Sequence, residues 1–538
     1  MPHVVTRSCC ADASCVLACP VNCIHPAPGE EGFGQAEMLY IDERSCVDCG
    51  ACVSACPVDA IKPHTKLGEG ELPFLELNRS YYRDNAHEDR APMYVLPKAR
   101  PIPPGELSVG VVGAGPAGLF AADELLRHPE VSVTVYDRLP TPYGLARAGV
   151  APDHQDTKQV SELFRVIESQ PGFSYRLGVE VGRDTTHADL LREHHAVIYA
   201  VGAATDKRLG IEGEDLPGSV SATDFVAWYN GHPDRAGDHY DLDCERAVVV
   251  GNGNVALDVA RILTADPGAL ARTDISDRAL DALRASAIRE VVLLGRRGPA
   301  QAAFTVPELI ALSALREVDV LVEGWPEGLA ADGSQAEGGE RVRLLAELAT
   351  RTPVEGRRRI VLRFCAAPVR IEGDTAVTAL ELAATELSAG TDGTVRATLT
   401  ERRELLTTGL VLRSIGYRAR PVAGLPFDEA AATVVHERGR VEPGVYVAGW
   451  IKRGPTGFIG TNKTCAKETV EALLEDFAAQ RLTAPTSTHP ASGPVPGITT
   501  AGWRAIDRTE RAAGEAQGRP RVKLTSTEAM LDAASQPH

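Results

Sequence analysis

Residues 107–118 read Leu-Ser-Val-Gly-Val-Val-Gly-Ala-Gly-Pro-Ala-Gly, an apolar run that leads directly into a glycine-rich turn. The turn has the spacing G-x-G-x-x-G, and its residues are Gly113, Ala114, Gly115, Pro116, Ala117 and Gly118. Such a turn lets the backbone approach a pyrophosphate at a helix N-terminus, where unpaired N–H groups favour an anion. The stretch therefore predicts a strand, a phosphate-binding turn and a helix, which together begin a Rossmann-like fold.

The surrounding sequence completes this first unit. A second strand is predicted at residues 131–136, and Asp137 stands at its end, 19 residues after Gly118. At this position an acidic side chain hydrogen-bonds the ribose of a dinucleotide. A strand at residues 445–450 predicts the return of the chain to the same sheet, where Trp450 either closes over a bound ring or belongs to the core. Residues 457–460 then lead into a helix whose N-terminus would stabilise negative charge.

A second unit of the same kind begins with a strand at residues 247–250. Its candidate phosphate-binding residues are Gly251, Asn252, Gly253, Asn254 and Val255. The next strand, residues 291–294, is followed by Arg296 and Arg297 where the first unit has its acid. Guanidinium groups suit a 2′-phosphate, so this unit predicts NADP. The first unit, which keeps the acid, is then predicted to hold FAD, because a flavin can pass electrons from a hydride donor to one-electron centres.

Length and composition limit the possible classes of protein. The chain has 538 residues, which at roughly 150 residues per domain allows three or four domains. The 56 Lys and Arg residues against 73 Asp and Glu give a net charge of −17, which argues against nucleic acid as a partner. No apolar run is long enough to span a membrane, and no targeting segment is evident. We therefore expect a cytoplasmic protein with no membrane association.

Nine of the twelve cysteines lie within the first 56 residues. The run from Cys46 to Pro57 has the C-x2-C-x2-C-x3-C-P spacing of iron–sulfur proteins, in which the fourth cysteine binds the other of two clusters. Cys19-Pro20 ends a second copy, in which Asp12 stands where a thiolate is expected. Exchange of the remote cysteines predicts a [4Fe–4S] cluster on Cys19, Cys46, Cys49 and Cys52. It leaves three thiolates for a [3Fe–4S] cluster, those of Cys9, Cys15 and Cys56.

Other ligand sets compete with this interpretation. Asp12 could itself bind a fourth iron, and Cys10 could replace it if the loop rearranged. Paired C-x2-C motifs also hold structural zinc, although nine cysteines with two Cys-Pro pairs argue against that. Cys23 is spare and is predicted to pack against the four-iron cluster. Acidic residues outnumber basic ones eight to three in residues 1–62, which favours docking to a basic redox partner.

Two family resemblances follow from these motifs. Residues 1–62 resemble the seven-iron, two-cluster bacterial ferredoxins, with a longer insert at residues 26–36. Residues 105–480 resemble the adrenodoxin reductase type of ferredoxin–NADP reductase. The most specific words lie at residues 142–145, 149–154, 251–261, 296–299 and 449–462. The whole chain resembles the actinobacterial fusion of the two proteins.

The resemblance implies roles for individual residues. FAD contacts are expected at Ala117, Asp137, Leu145, Val181, Trp450, Gly457, Phe458 and Ile459. Arg296 and Arg297 would hold the 2′-phosphate of NADP, and Glu308 would hydrogen-bond the nicotinamide carboxamide. His154 would lie beside the flavin, for positioning or proton supply. The family often pairs this histidine with a carboxylate three residues beyond Glu308, but that position is Ala311 here.

The predicted fold is an α+β ferredoxin-like domain followed by an α/β region. That region has two Rossmann-like dinucleotide-binding domains, the NADP domain being inserted in the FAD domain. The predicted limits are 1–62 for the two-cluster ferredoxin domain, 63–106 for an extension with a proline-rich linker at 97–104, 107–205 and 416–480 for the FAD domain, 206–415 for the NADP domain, and 481–538 for a linker and C-terminal extension.

The resemblance implies a ferredoxin–NADP reductase that moves electrons between NADPH and iron–sulfur clusters through FAD. An external redox protein, such as a ferredoxin or a cytochrome P450, would be the final acceptor or donor. One alternative is an electron-input module like the small subunit of glutamate synthase, which would need a large partner. Another is a non-enzymatic iron–sulfur redox sensor, which rapid NADPH-dependent dye reduction would exclude.

Overall fold

The computed structural model describes residues 3–85, 101–326, 328–333, 338–390, 394–486 and 497–536. No helix in these ranges combines the length and apolar character needed to cross a lipid bilayer. The linker predicted at residues 97–104 lies outside the described residues as far as position 100.

Residues 3–84 form a cysteine-rich unit of short strands and helices. Its elements are β1 His3–Val5, α1 Ser14–Ala18, β2 Ile24–His25, β3 Tyr40–Ile41, α2 Ala51–Ala55, β4 Ile61–Pro63 and α3 Pro73–Asp84. Strand β1 pairs antiparallel with β4, and β2 with β3. Helix α3, which follows the predicted domain limit at residue 62, packs into this unit. Asn78 of α3 donates to the carbonyl of Val5 and accepts from the amide of Ile41, both at 3.0 Å.

The two cysteine runs follow the same backbone path. A residue in left-handed conformation precedes each short helix, Ala13 (φ 61°) before α1 and Gly50 (φ 74°) before α2. Equivalent positions in the two runs are 37 residues apart, so Asp12 occupies the position in the first run that Cys49 occupies in the second. The backbone conformation around Asp12 is therefore the same as that around Cys49, although the side chain is a carboxylate and not a thiol.

The first large sheet has six strands in the order β22-β23-β8-β5-β6-β7, of which all but β22 run parallel. Its first part comprises β5 Leu107–Val112, α4 Pro116–Leu125, β6 Val131–Asp137, α5 Leu145–Ala148, α6 Gln155–Lys158, α7 Val160–Ile167, β7 Phe173–Leu177, α8 His187–Glu193 and β8 Ala196–Tyr199. Its second part comprises β20 Phe427–Asp428, β21 Thr433–Val434, β22 Arg440–Glu442, β23 Val445–Val447, α15 Trp450–Arg453 and α16 Thr461–Ala478.

The second large sheet lies in the chain between these two parts. It is parallel, in the order β10-β18-β11-β12-β14-β13. Its elements are β10 Ser219–Ser221, α9 Ala222–Tyr229, β11 Arg246–Val250, α10 Asn254–Thr264, α11 Pro267–Leu270, α12 Asp277–Ala285, β12 Glu290–Leu294, α13 Val306–Ser313, β13 Val318–Glu323, α14 Gly339–Ala349, β14 Arg358–Arg363 and β18 Leu410–Arg413. Strands β9 Thr205–Asp206 and β19 Tyr417–Arg418 pair where the chain enters and leaves this sheet.

Most predicted strands are confirmed, and one long feature was missed. The strands predicted at 107–112, 131–136, 247–250 and 291–294 are β5, β6, β11 and β12. The strand predicted at 445–450 ends at Val447, and Trp450 begins a short helix instead. The missed feature is a three-stranded antiparallel meander, β15 Ala366–Glu372, β16 Ala379–Ala389 and β17 Val395–Thr407. Strand β16 is rich in Ala, Glu and Leu, which prefer helices, so cross-strand pairing overrides local propensity here.

The C-terminal extension is part of the first large domain. Helices α17 Thr500–Glu515 and α18 Thr527–Ala534 pack over the same apolar core as β5 and α4. Trp503 of α17 and Met530 of α18 are at most 1% exposed in that core. Lys523, between the two helices, lies 2.8 Å from the Asp274 carboxylate. This ion pair ties the extension to the domain of the second sheet.

Candidate functional site

The two glycine-rich turns have the same geometry. Gly113 (φ 110°) and Gly251 (φ 125°) occupy left-handed turns, and a Cβ there would lie 2.4 Å and 2.1 Å from a backbone oxygen at the end of the neighbouring strand. Only glycine fits at these two positions. By contrast, Gly115 and Gly253, the N-caps of α4 and α10, face open space. Each turn thus leaves room for a phosphate at a helix N-terminus, as a bound dinucleotide requires.

Asp137 holds the first glycine turn in place. Its carboxylate accepts hydrogen bonds from the backbone N–H of Ala114 at 2.8 Å and of Leu139 at 2.9 Å. Burial raises the pKa of Asp137, while these two bonds oppose the rise. The side chain lies at the end of β6 beside the turn, where the ribose of a dinucleotide is expected.

The return strand brings the other predicted flavin residues to the first glycine turn. A Cβ at Gly449 would lie 2.5 Å from the Cβ of Ala117, so the loop after β23 touches α4. The Trp450 indole donates to the carbonyl of Thr456 at 3.1 Å, which fixes the ring over this loop. The amide of Phe458 donates to the Thr461 hydroxyl at 3.0 Å. Gly457, Phe458 and Ile459 therefore form a defined turn at the start of α16.

Two further predicted flavin residues lie at the edges of this region. Leu145 begins α5 and is 39% exposed, an apolar surface that a bound ring system would cover. Val181 packs at the edge of the apolar cluster that Tyr136 and Trp450 share. Leu145 and Val181 therefore lie at the edges of the region around the first glycine turn.

The second glycine turn ends beside two unpaired cations. Arg296 and Arg297 follow β12 and are exposed, and neither side chain forms an ion pair with any residue that the structure describes. The carbonyl of Arg296 accepts from the Thr385 hydroxyl at 2.7 Å, so the missed meander supports the loop. The amide oxygen of Asn254 accepts from the Thr305 N–H at 2.9 Å. The arrangement leaves two guanidinium groups free to bind a phosphate.

His154 lies in a buried network of charges between the two sheets. Its Nε2 atom is 3.3 Å from the Asp258 carboxylate and 4.0 Å from that of Glu308. Arg261, only 4% exposed, donates to Asp153 and Asp258 at 2.8 Å and to Glu308 at 3.3 Å. Burial alone would raise the pKa of Asp258, but Arg261 and His154 hold it below its usual value. The sequence left the carboxylate partner of His154 open, because Ala311 stands at the position that the family uses, and the structure supplies Asp258 instead.

The cysteine-rich unit adds a residue to this network. Arg7 donates to Glu308 from Nε at 3.1 Å and lies 2.9 Å from it through Nη2. Its guanidinium group also contacts Nε2 of His154. The sequence contained no signal for this contact, because Arg7 and Glu308 are 301 residues apart. Asp258 and Arg261 were missed although both lie in the motif at residues 251–261, three positions apart on one helix face.

Four cysteines converge on one side of the cysteine-rich unit. Cys19, Cys46, Cys49 and Cys52, which we call the outer site, line one pocket together with the spare Cys23. The sulfur atoms of Cys19 and Cys23 are 3.5 Å apart. A hydrogen bond from Cys23 lowers the pKa of Cys19 to about 5 and that of Cys46 to about 6. Burial acts in the opposite direction at Cys52 and raises its pKa to about 11.

Three other cysteines form the inner site, Cys9, Cys15 and Cys56. All three pack in the apolar core of the cysteine-rich unit. Burial raises the pKa of Cys9 to about 12, and the charges of Cys56 and Asp12 add to the rise. The Asp12 carboxylate accepts from the hydroxyl of Ser14 and lies 3.9 Å from Nζ of Lys463. Cys10 is buried next to the same groups. The outer site thus offers four cysteine side chains, and the inner site offers three, with the Asp12 carboxylate and the Cys10 thiol nearby.

Comparison with known proteins places the chain in a family. The probable ferredoxin/ferredoxin–NADP reductase of Mycobacterium tuberculosis is 51% identical over 99% of this chain and 95% of its own length. The chain belongs to the ferredoxin/ferredoxin–NADP reductase family. Two family models match parts of it: pyridine nucleotide-disulphide oxidoreductase at residues 107–294 and the 4Fe-4S binding domain at residues 39–62. The human mitochondrial NADPH:adrenodoxin oxidoreductase is 40% identical over 78% of this chain and 90% of its own.

A solved structure supports the fold of the reductase part. Mycobacterium tuberculosis FprA in complex with NADPH is similar to this chain with a TM-score of 0.77 and 44% sequence identity. The match covers 80% of this chain and 100% of FprA. Both predicted resemblances, to a ferredoxin and to an adrenodoxin reductase type of flavoprotein, are therefore confirmed for this reductase. The 4Fe-4S match covers the second cysteine run, whereas the run with Asp12 lies outside it.

A buried carboxyl group beside the reductase motif at residues 142–145 gives a pH-dependent stability. Tyr143 donates to Glu168 at 3.2 Å, and burial raises the pKa of Glu168 from 4.5 to about 7. A raised pKa means that the protonated form stabilises the fold, and this contribution is lost as the pH rises through about 7. Glu168→Gln is therefore expected to raise the Tm at pH 8 and to change it little at pH 4.

Thermal unfolding of the holoenzyme at both pH values measures this effect. Glu162→Gln on the same helix α7 is the control, because the Glu162 side chain is 56% exposed. An equal change in Tm at pH 4 and pH 8 for Glu168→Gln would contradict the assignment.

Proposed function

We propose that this chain takes a hydride from NADPH onto FAD and passes single electrons to its own ferredoxin unit and then to an external redox protein. One observation carries the proposal. The cysteine-rich unit, which has two sets of candidate metal ligands, packs directly against the domain whose glycine-rich turn would hold FAD, and a second glycine-rich turn lies in the inserted domain. The name of the Mycobacterium tuberculosis relative and the NADPH complex of FprA support the same function. Clustered free thiols suit a reducing compartment, so we place the enzyme in the cytoplasm.

The proposed domains follow the two glycine turns. The first sheet would hold FAD at Gly113–Gly118, Asp137 and the turn before α16, and the inserted sheet would hold NADP at 251–255, Arg296 and Arg297. The room beside Gly115 and Gly253 and the free guanidinium groups fit these cofactors. When bound, FAD supplies the conversion of one two-electron donor into two one-electron transfers.

The charged network would position the nicotinamide. Glu308 lies in the first turn of α13 and would accept a hydrogen bond from the carboxamide. Arg261 fixes Glu308 and Asp258, so the carboxylates cannot swing away from the site. His154 Nε2 faces both carboxylates and also contacts the guanidinium groups of Arg7 and Arg261, and we assign His154 to positioning or proton supply beside the flavin.

The inner site is proposed to hold a [3Fe–4S] cluster and the outer site a [4Fe–4S] cluster. In the structure Asp12 is bound by Ser14 and Lys463, which supports three thiolates as the inner ligand set. Asp12→Cys is expected to convert the inner site to a four-iron cluster, because position 12 is equivalent to that of Cys49 in the other cysteine run. Iron analysis and EPR of the oxidised protein, in which the three-iron signal disappears, measure the change.

The control for this experiment is Asp12→Ala, which removes the carboxylate without adding a thiol. It should retain three irons at the inner site. If the unmodified protein already contains two four-iron clusters, Asp12 or Cys10 binds the fourth iron and the three-iron assignment is wrong.

An anaerobic NADPH titration followed by optical and EPR spectroscopy tests the function as a whole. Bleaching of the flavin together with cluster reduction is expected, as is rapid NADPH-dependent reduction of a dye. Failure of NADPH to reduce the flavin would overturn the proposal. A redox sensor would not turn over the dye, and an electron-input module would do so only with a large partner present.

A further inference from the structure

The loop that carries the inner site is bonded to the start of helix α16. The N–H of Gly460 donates to the carbonyl of Cys10 at 2.8 Å. A Cβ at Gly460 would lie 2.2 Å from the carbonyl oxygen of Ala11, so the two backbones are in direct contact. Lys463, one turn into α16, donates to the carbonyl of Asp12 at 3.5 Å. Gly460 directly follows the proposed flavin contacts Gly457–Ile459, so the inner site adjoins them.

Apolar packing follows the same path. Cys9 and Cys56 of the inner site pack against the apolar core of the first large domain, as does Ile459. Val58 and Ala60, which follow Cys56, are 1% exposed and belong to that core. The inner site is thus covered by the reductase on one side.

The outer site faces away from the reductase. Every residue that lines its pocket lies between His3 and Cys52, within the cysteine-rich unit. Cys49 is exposed, and the neighbouring Val47 is 59% exposed. An apolar side chain so exposed beside a ligand cysteine leaves an approach for another protein.

Because the inner site adjoins the reductase and the outer site faces away from it, we infer a fixed order of electron transfer. The inner site takes electrons from the flavin, and the outer site receives them only through the inner one. The inference rests on the proposed function. A hydride from NADPH would supply two electrons, which bound FAD would release one at a time, with its protons going to water. Each electron would pass to the cluster held by Cys9, Cys15 and Cys56 and from there to the cluster held by the outer site, and no group would be transferred between the sites.

A matched pair of variants tests the order in the full chain. Cys15 and Cys52 occupy equivalent positions, 37 residues apart, in the inner and the outer site. Cys15→Ala should leave an outer cluster that dithionite reduces but NADPH does not, as followed by EPR. Cys52→Ala should leave an inner cluster that NADPH still reduces. Rapid reduction of the outer cluster by NADPH in Cys15→Ala would overturn the order.

A charge reversal provides a test that does not remove a ligand. Lys463→Glu places a carboxylate against Asp12, whereas Lys467→Glu makes the same change one turn later, beside Glu471. The two lysine side chains are 37% and 34% exposed. Hydrogen exchange of the holoenzyme should show loss of protection at the Gly460 amide in Lys463→Glu only, with slower reduction of both clusters by NADPH.

The outcomes separate the order of transfer from the function itself. Unchanged exchange and unchanged cluster reduction in Lys463→Glu would overturn the inner contact as the route. Loss of protection at Gly460 with full-speed cluster reduction would do the same. If NADPH reduces the flavin but neither cluster in the unmodified chain, the proposed function fails, and the order fails with it. Reduction of both clusters in the unmodified chain leaves the cysteine pair to decide the order alone.

Discussion

Replacement of Arg296 and Arg297 by Gln is expected to raise the KM for NADPH strongly while leaving that for NADH almost unchanged. Both guanidinium groups are exposed at the end of β12 and form no ion pair with the described residues, so they are free to bind the 2′-phosphate. Loss of one charge-assisted contact to a phosphate costs about 1.5–3 kcal/mol, or roughly tenfold to a hundredfold in affinity. Steady-state kinetics with the two nucleotides measure the effect.

A double variant at the opposite end of the same region controls for net charge. Arg278 and Arg289 are exposed on α12 and just before β12, so Arg278→Gln with Arg289→Gln removes two charges far from the turn. This control should bind both nucleotides normally. Equal losses for NADPH and NADH in the Arg296 and Arg297 variant would show misfolding rather than loss of a phosphate contact.

A chain that begins at residue 105 is expected to bind FAD and reduce ferricyanide, yet to lose most of its activity toward a protein acceptor served through the clusters. The truncated chain keeps both glycine turns, and FprA is a separate protein of this extent. Ferricyanide takes electrons directly from the flavin, whereas the protein acceptor depends on the missing unit. Assays with the two acceptors on the same preparation measure the difference.

Addition of the separate ferredoxin unit, residues 1–96, should restore the lost activity in a manner that depends on concentration and salt. Ion pairs cross the interface, among them Arg7 with Glu308 and Glu37 with Arg341 at 3.1 Å, and salt screens such pairs. Glu37→Gln in the added unit should therefore require a higher concentration for the same rate. Full activity of the truncated chain toward the protein acceptor would show that the clusters are not on the productive path.

The elements around each turn were predictable because their signals are local. Gly113 and Gly251 need a left-handed turn wherever they occur, and the apolar runs before them fit buried parallel strands. The same holds for Cys19, Cys46, Cys49 and Cys52, because the spacing of the two runs predicts these four cysteines together and they line one pocket. The structure adds that the two cysteine runs have the same backbone conformation, so Asp12 replaces a cysteine on a turn that is otherwise unchanged.

The contacts between units could not be predicted, because nothing in the local pattern of one segment specifies its distant partner. Arg7 reads as an ordinary basic residue, yet it completes the network around His154 and Glu308. The acidic residues of the ferredoxin unit show the same limit. Glu37 was interpreted as part of a surface for external partners, but it accepts from the Val306 amide at 2.7 Å and binds Arg341 inside the molecule. The residue type of Glu37 indicates its charge, but only the tertiary structure shows which group its carboxylate binds.

The contact of Cys10 and Asp12 with the start of α16 affects which other redox proteins could reach the ferredoxin unit. A foreign reductase would need the same face of the ferredoxin unit, and that face is already covered by Gly460 and Lys463. If the proposed order of transfer holds, the ferredoxin unit would accept electrons only from the flavoprotein to which it is joined. The fusion would then fix the ratio at one carrier per reductase.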